Sequence, residues 1–148
     1  MIETRHWFLA AGAMSVAASL LHLACIAGGP SWYRFMGAGE RMARAAERGD
    51  SMPALVTLAV AFVLAAWAAY AFAAAGLLPR LPLQRTALVL ISAVLVARAL
   101  LYFAGDQWRP DLSHTFKLWS SVIVLVYGAT FAIGTWRGWD ALMAKETS

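Results

Sequence analysis

The sequence predicts an all-α fold: a bundle of four transmembrane helices, with an interfacial amphipathic segment between the first and the second. Three observations predict it. The 148-residue chain is 61% hydrophobic and only 14% charged, with a mean hydropathy of +0.65, whereas a soluble domain is nearer a quarter charged. Four apolar runs, at about 7–27, 53–78, 86–104 and 118–136, reach or approach the ~20 residues that a helix needs to cross a hydrocarbon core. Residues 60–75 are apolar or aromatic on every face, while a helix of a soluble bundle keeps a polar stripe. The whole chain, 1–148, reads as a single integral membrane domain without internal repeats.

The first run follows Arg5 and ends in "ACIAGG", which has some features of a secretory signal. Its apolar stretch is longer than the 7–15 residues of a signal h-region, so it is expected to stay as a span. The lone cysteine, Cys25, excludes an intrachain disulfide and reads as a small packed hydrophobe. The second run opens at Pro53, which suits the first turn of a helix, with Asp50 or Ser51 as the expected cap. Loop 2, "GLLPRLPLQR", holds Pro79 and Pro82, which stop a helix and stiffen the turn. Loop 3, "GDQWRPDLSHTFK", is polar, and the tail "RGWDALMAKETS" is short and mixed in charge. Trp7, Trp32, Trp108, Trp119, Trp136 and Trp139 fall near the ends of the runs, as interfacial aromatic belts do.

Four spans put both termini and loop 2 on one side, and loops 1 and 3 on the other. Lysine and arginine are nearly balanced between the sides. Arg5, Arg80, Arg85, Arg137 and Lys145 stand against Arg34, Arg41, Arg44, Arg48, Arg109 and Lys117. The positive-inside bias is therefore weak, and the compact Arg80/Arg85 turn is what favours cytoplasmic termini. The formal charge of +4 suits contact with an anionic bilayer surface. The basic residues are scattered among membrane-flanking loops, which argues against nucleic acid as a partner. In composition the chain resembles small, alanine-rich inner-membrane proteins of GC-rich bacteria, which implies the inner (plasma) membrane and no particular activity.

Loop 1 contains the most charged stretch, "RFMGAGERMARAAERGD". On one continuous helical wheel, Phe35, Met42 and Ala46 share a side, and Arg34, Arg41 and Arg48 form a stripe a quarter turn away. Glu40 and Arg44 stand four apart in the favourable order. This pattern fits a helix lying in the interface with its arginines at lipid phosphates. Gly37 and Gly39 weaken the helix and invite a break. A second arrangement turns Glu40 or Glu47 inward over a polar pocket.

Two potentially charged side chains stand inside the runs, His22 in the first and Arg98 in the third, both toward loops 1 and 3. An arginine near a helix centre costs about 2.5–3.5 kcal/mol on the insertion scale, so Arg98 must snorkel, reach water or find a partner. Other polar groups gather at that level. Ser15, Ser19 and His22 form one stripe, Arg98 and Tyr102 another, and His114, Lys117 and Ser121 a third. Asp106, Trp108 and Asp111 hang above, and Tyr127 lies deeper as a floor. The expected ligand-binding set is His22, Glu40, Arg98, Tyr102 and His114. Simpler roles compete: Arg98 at a lipid phosphate or in a salt bridge with Glu40 or Asp106, His22 as an interhelical hydrogen-bonding residue, and the small residues as packing surfaces.

A metal site is not expected, because the histidines, the cysteine and the carboxylates lack ligand spacing. Haem would rest on His22 alone or with His114, and no cofactor is expected. There is no GxSxG elbow and no phosphate loop. The expected role is binding of a lipid or other amphiphilic small molecule in the half of the bundle nearest loops 1 and 3. The alternatives are an accessory or oligomeric subunit, as a homodimer or with a membrane-protein partner, and an enzyme on a lipophilic substrate using His22 and Glu40 as acid and base.

Overall fold

The structure, a computed structural model, describes the backbone of residues 2–104 and 110–144 and the side chains of residues 4–102 and 110–142. Asp106, Trp108, Arg109 and Lys145 lie outside the described residues. The chain is all-α, and no strand occurs among the described residues. In order the helices are α1 (Ile2–Gly28), α2 (Pro30–Phe35), α3 (Glu40–Glu47), α4 (Met52–Ala74), α5 (Gln84–Ala104), α6 (His114–Arg137) and α7 (Trp139–Ala144).

Four of them are long and apolar enough to cross a membrane: Thr4–Gly28, Met52–Ala74, Gln84–Tyr102 and His114–Arg137. At a rise of about 1.5 Å per residue they measure roughly 28 to 38 Å, against a hydrocarbon core of about 30 Å. Their outward faces carry Leu55, Phe62, Leu90, Val94, Ile123 and Val126 exposed. A continuous apolar surface of this kind suits lipid and not water. The chain is thus built as a multi-pass membrane protein.

The spans differ from the sequence expectation at their ends, each for a local reason. α4 stops at Ala74, four residues before Leu78. Gly76 takes φ +79, its N–H donates to the Ala73 carbonyl, and the Leu77 N–H donates to the Phe72 carbonyl. That paired closure ends a helix before any proline is reached. α6 starts at His114, four residues before Leu118, because the Ser113 hydroxyl accepts from the Phe116 N–H at 3.2 Å and so caps an earlier turn. Ser51 is the N-cap of α4, but its side chain makes no capping bond.

α1 packs along α4 on one side and α6 on the other, and α6 packs along α5, while α4 and α5 share only a short contact. The seams are lined by small residues. Ala11 and Ser15 of α1 and Ala68 and Ala71 of α4 are all buried, and the Phe72 ring of α4 fills the space beside Gly12 of α1. On α6, a Cβ at Gly128 would stand 3.1 Å from the Leu95 Cβ and 3.3 Å from the Val96 backbone nitrogen. Small side chains let helix backbones approach closely where lipid gives no hydrophobic drive to associate. The main core joins Phe8, Leu64, Leu88, Ile91, Tyr127 and Phe131. α7 folds back so that Leu142 enters this core and the Arg85 guanidinium lies 5.0 Å from the Trp139 ring centre.

Loop 1 is two short helices and not one. The break expected at Gly37–Gly39 is present: Gly37 has φ +73, and the Phe116 ring of α6 occupies the space where a Cβ would project. The break resets the helical phase, so the single wheel over residues 32–50 fails. Phe35, placed there with Met42 and Ala46, is 76% exposed, whereas Tyr33 and Ala43 join Cys25 of α1 in a second small core.

Candidate functional site

The polar layer is built from hydrogen bonds that fix helix register. The Ser15 hydroxyl donates to the Ala11 carbonyl at 2.8 Å. Its one proton is thereby used, so in the 2.6 Å contact between Ser15 Oγ and the Tyr127 hydroxyl tyrosine is the donor. This bond sets residue 15 of α1 level with residue 127 of the antiparallel α6. Seven residues further toward loops 1 and 3, about 10 Å at the helical rise, His22 comes level with Ser120. One turn beyond Ser15, Ser19 donates to the Ala61 carbonyl of α4 at 2.8 Å.

Arg98 reaches the same level from α5. Gly128 packs against Leu95 and Val96, so the Arg98 Cα stands near the level of residues 125–126. Its Nη2 nevertheless donates to Ser120 Oγ at 2.8 Å, about five residues or 8 Å closer to loop 3. The side chain runs along its helix toward the C-terminus, against the usual lean of helical side chains, and its Cζ lies 4.2 Å from the Tyr102 ring centre. Such a climb toward the nearer interface is what a cation in a span does. It ends inside the protein: Arg98 is half-buried, and its Nη1 is buried without a hydrogen-bond partner. Among the described residues no acidic group pairs with it.

Two further groups on α6 share this seam. Lys117, Ser121 and Gly128 recur on one helical stripe, and Gly128 shows that the stripe faces α5. Ser121 is 0% exposed and Lys117 5%. The Ser121 hydroxyl has no partner; Lys117 is engaged.

The structure unites part of the expected set. Arg98 and Tyr102 are stacked. His22 is half-buried at their level, but its Nδ1 donates to the Ala18 carbonyl of its own helix at 2.7 Å, which leaves Nε2 as the group free to meet a partner. His114 is exposed in the first turn of α6, about 9 Å along the bundle from the His22 level, so the two do not converge.

Glu40 is not turned into the bundle. Its carboxylate is exposed and held by Arg34 at 3.0 Å and Arg44 at 3.0 Å, while Arg34 also binds Glu47 at 2.8 Å. Hydrogen bonds from Arg34 and then Arg44 pull the Glu40 carboxyl down to about 2, and the bonds to Glu40 and then Glu47 push the Arg34 guanidinium further up. A carboxylate so clamped is a poor proton carrier near neutral pH, and no hydrogen bond joins it to His22. The charged stretch thus ties α2 to α3 across the glycine turn.

Sequence reasoning missed Ser120. The signal was present: Ser120 and Tyr127 are seven apart and share a helix face, but Ser121 was chosen for its spacing from His114 and Lys117.

Comparison of the chain with protein-family models, with curated proteins and with solved structures found no match.

Proposed function

We propose that this multi-pass protein, of bacterial inner-membrane type with its termini on the cytoplasmic side, binds a lipid or other amphiphilic small molecule, with the polar head at Arg98. The half-satisfied guanidinium carries this reading. A buried donor left without a partner costs about 1–3 kcal/mol, more when charged, and membrane-embedded arginines are normally paired. Here Nη1 is buried and unpaired, and so is the Ser121 hydroxyl on the stripe of α6 that faces α5, while His22 stands level with Ser120 by register. A bound head group would satisfy these atoms together, and its chains would lie on the exposed apolar faces of α5 and α6, at Leu101 and Ile123. Trp119, 63% exposed next to Ser120, suits the boundary between head and chain.

A photoreactive amphiphile with its diazirine close to the head group tests the reading. Saturable adducts are expected on α5 near Tyr102 or on α6 near Lys117–Ser121, and are lost in Arg98→Ala. Adducts spread over lipid-facing residues, not displaced by excess unlabelled amphiphile and unchanged in Arg98→Ala, contradict it.

A further inference from the structure

We infer that the group taken at Arg98 is anionic, a phosphate ester or carboxylate; the inference rests on the amphiphile-binding reading above and specifies its head group. The site offers the Arg98 Nη1, buried and unpaired, and the Ser121 hydroxyl, buried and unpaired, with Ser120 already held by Nη2. A guanidinium stays charged in proteins and presents its donors as a planar fork that matches a carboxylate or phosphate. A neutral head group would satisfy the hydrogen bonds and leave the charge; an anion satisfies both.

The surrounding charges agree. The second buried side chain with a formal charge on this seam, Lys117, is also a cation. No carboxylate among the described residues forms an ion pair with Arg98. Glu40, Glu47 and Asp50 are committed to Arg34, Arg44 and Arg48, and Asp111 is exposed in the segment leading to α6. A guanidinium with an unpaired donor and no acidic partner among the described residues selects for negative charge and rejects a choline-type cation.

The same chemistry can come from a lipid head group or from a free oxyanion, and one titration separates them. Protein purified in an uncharged maltoside detergent is titrated, by native mass spectrometry, with phosphatidylglycerol, with diacylglycerol of the same chains, and with inorganic phosphate alone. Phosphatidylglycerol is expected to bind at least about tenfold more tightly than diacylglycerol, the gain of one charge-assisted contact. The preference should vanish in Arg98→Gln and weaken in Ser121→Ala. If phosphate alone binds and displaces the lipid, the anion is confirmed and its source is a free oxyanion; if it does not, the source is the lipid. Equal binding of the two lipids by the wild type, which involves no variant, overturns the anionic inference while the amphiphile reading stands. Retention of neither lipid overturns both.

Discussion

Tyr127 donates its hydroxyl proton to Ser15 at 2.6 Å across the α1–α6 seam, and this bond sets the register that brings His22 level with Ser120 and Arg98. Both groups are buried, so the bond has no competition from water. Tyr127→Phe removes it and leaves Ser15 bonded to Ala11. The expected loss is about 0.5–1.5 kcal/mol, in the range of hydrogen bonds between membrane helices, read from unfolding by increasing dodecyl sulfate in mixed micelles. An unchanged midpoint would remove the bond from the account.

The α5–α6 seam has no spare room at Gly128. Valine there must push its Cβ against the Leu95 Cβ at 3.1 Å and the Val96 backbone nitrogen at 3.3 Å, and backbone cannot rotate away. A destabilisation of about 1–3 kcal/mol is expected in the same unfolding assay, together with weaker retention of ligand, because Arg98 and Ser120 sit on the two helices that would part. Wild-type stability of Gly128→Val would show that the helices are not in contact there.

The carboxyl of Glu40 has a distinctive pH signature. Its value in the folded protein, about 2, lies below the ordinary glutamate value, so the Arg34–Glu40–Arg44 linkage supports folding at pH above that ordinary value. That support is lost as pH falls toward 2. The carbon-13 shift of the Glu40 carboxyl, followed by nuclear magnetic resonance in micelles, should stay at its ionised value through pH 4. A midpoint above pH 4 would mean that the arginines do not hold it.

Arg98 should be dispensable for folding if it serves a ligand. Methionine keeps an unbranched stem out to about the position of Nε and removes the unsatisfied donor, and Ser120 can turn to a carbonyl of its own helix. Delipidated Arg98→Met protein is expected to unfold at an equal or higher denaturant level than delipidated wild type, by up to about 1–3 kcal/mol. A loss of more than about 2 kcal/mol, the scale of a broken buried network, would make Arg98 a structural residue.

The spans were legible because a bilayer reads composition: residues 60–75 could be nothing but a lipid-embedded helix. Arg98 and His22 stood out for the same reason, as polar groups where each one carries a cost. Loop 1 was less legible. A wheel drawn through Gly37–Gly39 assumes one phase, and the left-handed turn at Gly37 erases it, so Phe35 is exposed while Met42 and Ala46, on the same side of that wheel, pack against the second core. Glu40 was placed by its loop and not by its partners; Arg34, six residues earlier, comes within reach only once α2 folds back on α3. α7 went unseen because six residues are too short to show a period, and Leu142 finds its place only through the core already formed by the spans.

The reading of the polar layer around Arg98 as a ligand site can be checked on the unaltered protein. Native mass spectrometry of the intact wild-type protein, released gently from its own membrane without added lipid, tests it most directly. One bound amphiphile per chain is expected, carrying a phosphate or carboxylate and surviving removal of the detergent. Chains that emerge bare, or that carry only a graded mixture of bulk lipids unchanged by Arg98→Ala, would contradict it.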